Sequence, residues 1–228
     1  MYFYNQHNTR SGKAVINLII INVLVFVAMG LLERMRNNPY SEVLDTYLPL
    51  WNPFDPMRDN FRIWQPITSM FVHADLMHLL FNMIGLFFFG RMLEQVFGTK
   101  RFLIYYFVSG IGASLIYIAW AVFSYYRDIQ HGDIYEAFTN FSPCVGASGA
   151  VFGLLMGAAM LFPNTQFMIY GIIPMRLGVM ALLYGTYELF MIIRDLPQDR
   201  VAHIAHVGGL IFGFIMLKIY QRDKRNFY

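Results

Sequence analysis

Ser148, in the run GASGAVFG, and His206, in AHVGGLIFG, stand at the heads of two strongly apolar stretches. A serine hydroxyl is a weak nucleophile until a base within hydrogen-bond reach takes its proton, and a neutral imidazole suits that task near neutral pH. An anion forming on an attacked carbonyl needs donors already aimed at it. The backbone N–H of Ser148, the Asn82 amide and the His78 ring are the available candidates, and a helix start adds partial positive charge. No acid is placed to orient His206, because Asp195 and Asp199 fall in the preceding loop and Glu188 lies one apolar segment earlier. The pattern therefore reads as a Ser–His dyad. Phe152, one turn past Ser148, is positioned to hold the imidazole by stacking.

The elements that carry these residues are apolar helices. With 57% hydrophobic and 14% charged residues over 228 positions, the chain is an integral membrane protein by composition. A helical span needs about 17–25 mostly apolar residues. Six segments qualify: Ala14–Leu32, Leu76–Leu93, Phe102–Tyr126, Ala147–Phe162, Leu177–Ile193 and Val201–Tyr220. The predicted fold is an all-α bundle of six transmembrane helices. The second, fourth and sixth spans run in the same direction, so their beginnings share one side of the membrane. His78 and Asn82, Ser148, and His206 then lie at similar depth. Residues four apart share a helix face, which places Asn82 above His78 and aligns His206, Gly209 and Gly213 in one stripe. Gly149, Gly153 and Gly157 form a second stripe. Small residues at this spacing let two membrane helices approach nearly backbone to backbone, although such patterns also occur merely to pack helices.

Lys and Arg are retained on the cytoplasmic side of membrane proteins. The N-terminus, Arg91–Arg101, Arg176 and the tail Lys218–Arg225 together hold ten Lys and Arg against two acids, Glu94 and Asp223; the opposite loops hold seven against eleven. Both termini are expected to be cytoplasmic, and the basic tail also suits contact with lipid headgroups. Ala14–Leu32 reads as the first span rather than as a signal peptide. We expect a single domain over 1–228, with a short N-terminus (1–13) and a basic tail (221–228). The long connection from Glu33 to about Phe71 carries Trp51, Phe54, Phe61 and Trp64 among Pro49, Pro53, Pro56 and Pro66. Its aromatic rings favour the headgroup zone, so the loop is expected to dip into the outer leaflet, the alternative being a solvated loop. Cys144 is the single cysteine, which excludes an internal disulfide. It reads as an inert small residue ahead of a reactive thiol.

GASGAVFG at 146–153, HADLMHLLFN at 73–82, GRMLEQVFGTKRF at 90–102 and VAHIAHVGGLIFG at 201–213 resemble, in order, the recurring motifs of the rhomboid intramembrane serine proteases. The resemblance implies Ser148 as nucleophile, His206 as base, His78 and Asn82 as oxyanion stabilisers, Phe152 packed on the catalytic imidazole, and Gly209 and Gly213 seating the last span against the serine helix. It further implies cleavage of single-span membrane proteins at or near the outer membrane boundary, next to a small residue and in a helix that unwinds easily. One departure is Trp64-Gln65, where rhomboids often have Trp-Arg; this puts the anchoring of the first loop in question.

The remaining polar residues have blander readings. His73 and His203 precede the two functional histidines and raise the idea of a metal, but no HExxH motif is present and the accompanying carboxylates are missing from the neighbouring sequence. We expect no metal and no cofactor. Glu94 reads as structural, through capping or pairing with Arg91 or Lys100, and Glu188 as an internal polar contact ahead of a catalytic or transport group. Tyr105, Tyr106 and Phe107 read as lipid contacts or core. The expected partners are transmembrane protein substrates and the lipid bilayer, with no nucleic acid; the expected location is a bacterial inner membrane. Two competing classes are a catalytically silent relative that escorts membrane clients, which should lack Ser148 or His206, and a transporter, which needs mid-membrane ionisable groups of which only Glu188 qualifies.

Overall fold

A computed structural model of the chain describes residues 12–34, 44–53, 60–133, 143–169, 173–194 and 202–222. Expectations that rest on residues 1–11, Phe54, Pro56, Asp195, Asp199, Val201 and the tail from Asp223 lie outside the described residues.

Helix α1 (Lys13–Arg34) leads to the first loop, which contains the short helix α2 (Gln65–Thr68) and a 3₁₀ turn at Ser69–Phe71. Helix α3 (Leu76–Gly85) starts at Asp75, whose carboxylate accepts from the His78 backbone N–H at 2.8 Å, an N-cap of the usual kind. It continues through a π turn at Leu86–Gly90 into α4 (Arg91–His131). Helices α5 (Ser148–Leu161), α6 (Leu177–Arg194) and α7 (His203–Arg222) follow. Among the described residues, four helical runs are long and apolar enough to cross a membrane: Lys13–Arg34, Leu76–His131, Leu177–Arg194 and His203–Arg222; Ser148–Leu161 is a shorter apolar helix.

The connection expected at Arg91–Arg101 is instead helical, broken only at Gly98, whose φ of 72° and ψ of 163° lie outside helical space. A second difference is an antiparallel hairpin between α5 and α6, with β1 (Gln166–Ile169) paired to β2 (Ile173–Arg176) in the register Gln166 to Arg176. The Phe167 ring packs edge-on against Phe88 and tilted against Phe89, at centroid distances of 5.0 and 5.7 Å, so the hairpin is fastened to the π turn. The protein is thus mostly helical rather than wholly so.

Helices α4, α5 and α7 pack on one another at the centre. Their buried side chains, including Phe102, Tyr105, Tyr106, Leu154 and Leu217, join Leu86 and Leu93 in the main core. Outward faces are equally apolar: Ile20, Leu24 and Leu31 of α1 and Leu182, Leu189 and Ile193 of α6 are exposed. Such a surface is stable only where hydrocarbon replaces water. Glu94, fully buried, accepts from the Ala14 and Val15 backbone N–H groups at 3.2 Å each and from the Thr99 hydroxyl at 2.8 Å. It caps the first turn of α1, whose amides would otherwise be unpaired in an apolar setting.

Candidate active site

The site is built on the seam between α5 and α7. A Cβ placed on Gly209 would overlap the Gly149 carbonyl oxygen, and one on Gly213 would stand 2.6 Å from the Gly153 oxygen. Only hydrogen fits at either position, so the two backbones meet directly. The Tyr105 hydroxyl, from α4, lies 2.7 Å from the Gly213 oxygen and 3.0 Å from the Gly153 oxygen, its one proton shared between them. Three helices are thereby fixed at one level.

One turn above this seam, His206 Nε2 lies 2.8 Å from Ser148 Oγ. The Phe152 ring stacks on the imidazole with centroids 4.4 Å apart and planes 9° from parallel, and Tyr184 of α6 meets Phe152 edge-on at 6.2 Å. Stacking fixes the plane of the imidazole, while the hydrogen bond fixes its rotation within that plane. His78 and Asn82 stand beside the chain entering α5. Gly146 has a φ of 113°, and a Cβ there would meet the His78 ring at 2.7 Å and lie 3.7 Å from Asn82 Nδ2. This position needs glycine for both reasons, strain and space. Asn82 is buried and its amide donates to the His78 carbonyl oxygen at 2.9 Å.

The first loop supports the same segment from the other side. Leu50 and Cys144 exchange both backbone hydrogen bonds, at 3.0 and 2.9 Å, and the Gly146 N–H donates to the Ser69 oxygen at 2.9 Å. The loop is held by Gln65, which is completely buried. Its Oε1 accepts from the backbone N–H groups of Trp51 (3.3 Å) and Arg62 (3.0 Å), and its Nε2 donates to the oxygens of Thr46 (3.3 Å) and Asn60 (2.7 Å). The departure at Trp64-Gln65 therefore has its own anchoring solution. Burial pushes the Cys144 thiol up to about 12, in keeping with an unreactive residue. His73 is buried beside His78, ring centroids 5.2 Å apart, and desolvation pushes its pKa down to about 4.

Sequence reasoning missed the surroundings of His206 on its far side. Its Nδ1 lies 3.1 Å from Glu188 Oε1, and the other carboxylate oxygen is in short contact with His203 Nδ1. The expectation that no acid reaches His206 does not hold, nor does the expectation that carboxylates are absent beside these histidines. The signal was present as the one acid within an otherwise apolar α6, but a partner on a different helix cannot be assigned from spacing alone. The donor atoms of Glu188, His203 and His206 all fall within 4.8 Å of one another, a grouping that a metal ion could in principle use.

Comparison with known proteins places the chain in a family. Residues 60–223 match the model of the rhomboid domain. RHOMBOID-like protein 2 of Arabidopsis thaliana is 33% identical over 245 residues, covering 94% of this chain and 69% of its own length. Rhomboid protease AarA of Providencia stuartii is 31% identical, covering 67% of this chain and 54% of its own. A third relative, Inactive RHOMBOID-like protein 8 of Arabidopsis thaliana, is 28% identical, covering 68% of this chain and 37% of its own. The chain spans roughly half the length of the curated relatives it matches, from 33% to 70% among the first five. With a domain match over most of its length, apolar helices and the four motifs in order, this integral membrane protein belongs to the rhomboid family.

Proposed function

We propose that the chain is an intramembrane serine endopeptidase that cuts single-span membrane proteins at or near the outer membrane boundary. The observation that carries this reading is the 2.8 Å contact between Ser148 Oγ and His206 Nε2, with the imidazole clamped by Phe152. In the proposed reaction the Ser148 proton passes to His206 Nε2 as Oγ bonds to the substrate carbonyl carbon. The carbonyl π electrons move onto oxygen, where the Ser148 N–H, the Asn82 amide and the His78 ring are assigned as donors. Collapse of that intermediate breaks the C–N bond, and His206 gives its proton to the leaving amine. Water then repeats the sequence on the acyl-enzyme.

Six passes through the membrane belong to the same reading, with Leu76–His131 divided at Gly98 and Ser148–Leu161 as a short span; residues 1–228 then form one domain with both termini cytoplasmic. Helix α5 has 14 residues and is about 21 Å long, less than the roughly 30 Å of hydrocarbon. At least one of its ends then lies within the hydrocarbon, and the reading puts the serine end there, where a substrate helix has to unwind to present a carbonyl. The silent-escort reading is disfavoured because Ser148 and His206 are both present and in reach of each other. A transport role is disfavoured because Glu188 is engaged by two imidazoles.

The test is reconstitution of the purified chain in liposomes with a single-span reporter. Cleavage is expected from the native sequence and loss of about 10³-fold or more from Ser148→Ala and from His206→Ala. Undiminished cleavage by Ser148→Ala would refute the assignment.

A further inference from the structure

Glu188 is only 4% exposed and lies in α6, a helix whose other large residues mostly face outward. An isolated carboxylate there is costly, so its retention in an apolar span needs a physical reason. Its two oxygens are divided between two rings on α7: Oε2 faces His203 Nδ1 and Oε1 faces His206 Nδ1. The nitrogen of His206 used here is the one opposite Ser148, and it has no other partner among the described residues. The His206 contact is 3.1 Å but off the line of an ideal N–H···O bond, as is common for catalytic hydrogen bonds before substrate is bound. A metal ion is the competing occupant. Zinc ligands sit about 2.0–2.2 Å from the ion and therefore more than 3 Å from one another, whereas the carboxylate already bonds His203 directly. The contact between the carboxylate and His203 is that of a hydrogen-bonded pair.

We propose that Glu188, itself fixed by His203, is a positioning residue for His206 that supports the Ser148–His206 dyad from the far side of the imidazole. This inference rests on the protease reading above. With the His206 proton on Nδ1, the nitrogen nearer Glu188, Nε2 keeps its lone pair and faces the serine hydroxyl. When Nε2 takes the Ser148 proton, the imidazolium forms beside a carboxylate that stays ionised, and no proton moves to Glu188. His203 holds the second oxygen and stops the carboxylate from turning away. The groups that face His206 are Glu188 from α6, His203 from α7, Ser148 and Phe152 from α5, and, through space, the His78 ring of α3.

The experiment compares the full chain with Glu188→Gln, Glu188→Asp and Ser148→Ala in liposomes, measuring kcat, KM and the pH profile of reporter cleavage. Glu188→Gln is expected to lower kcat by about 10²- to 10⁴-fold with KM little changed. Its acidic limb should move to lower pH, because loss of the negative charge makes the imidazole easier to deprotonate. Glu188→Asp should recover part of the rate. Native kcat and an unmoved acidic limb in Glu188→Gln overturn the proposal, while an inert Ser148→Ala in the same series leaves the protease reading standing. A Ser148→Ala that still cleaves removes both. Should Glu188→Gln fail to fold, ¹⁵N-histidine NMR of the native chain decides: a downfield Nδ1–H proton that vanishes in His206→Ala is expected, and its absence overturns the role of Glu188.

Discussion

The α5–α7 seam and the first loop both hold the chain around Ser148, but by opposite means. At the seam the determinant is the absence of side chains: Gly209 and Gly213 bring α7 onto the carbonyls of Gly149 and Gly153. In the loop the determinant is one side chain, since the Gln65 amide gathers four backbone groups from Thr46, Trp51, Asn60 and Arg62. The seam sets the distance from serine to imidazole, and the loop sets the path of the backbone that enters the serine helix through Leu50, Cys144 and Ser69. A steric joint has no tolerance for added atoms. A hydrogen-bonded joint fails by degrees.

That contrast can be broken at either end. The largest effect is expected from Gly209→Val, which drives a branched side chain into the Gly149 carbonyl; overpacking of this kind costs about 3 kcal/mol, and activity should vanish as the helices part. Thermal unfolding in detergent alongside reporter cleavage measures both. If Asn82 is an oxyanion donor as proposed, Asn82→Ala should lower kcat by about 10²- to 10³-fold while leaving the melting temperature near that of the native chain. Gln65→Ala should cost about 2 kcal/mol of stability, as four modest hydrogen bonds are lost together, with activity reduced but measurable. If Gln65→Ala proves as damaging as Gly209→Val, the loop is no gentler a joint than the seam.

The smallest effect concerns His73, at the junction of loop and α3. Its folded pKa is pushed down to about 4 against an ordinary value of 6.5, so the unfolded chain takes up the proton first. Stability from this group is complete above pH 6.5 and is lost as pH falls towards 4; at pH 5.5 the loss is about 1 kcal/mol. Melting curves should therefore show the native chain losing stability relative to His73→Phe as pH falls from 6.5 towards 4.

Much of this was legible in the sequence, for identifiable reasons. Spans show themselves by apolar length, and the glycine stripes of α5 and α7 by their spacing of four, because both are local regularities. Ser148, His206, His78 and Asn82 stood out because a polar group in an apolar helix is expensive. Glu188 stood out for the same reason, yet its partners could not be named, since which face of α6 meets α7 depends on packing and not on period. The Gln65 network escaped for a related reason: four backbone partners spread over Thr46–Arg62 carry no side-chain signature. The hairpin at Gln166–Arg176 is too short for alternation to declare it, and Gly98 leaves the helix within a single residue, so a loop was expected where helix continues.

The central claim is that Ser148 is a nucleophile activated by His206. Labelling of the reconstituted native chain with a fluorophosphonate, followed by mass spectrometry of its peptides, tests this most directly. The expected result is one adduct, on Ser148, abolished in Ser148→Ala and strongly reduced in His206→Ala; labelling that persists in Ser148→Ala, or that is indifferent to His206, would contradict it.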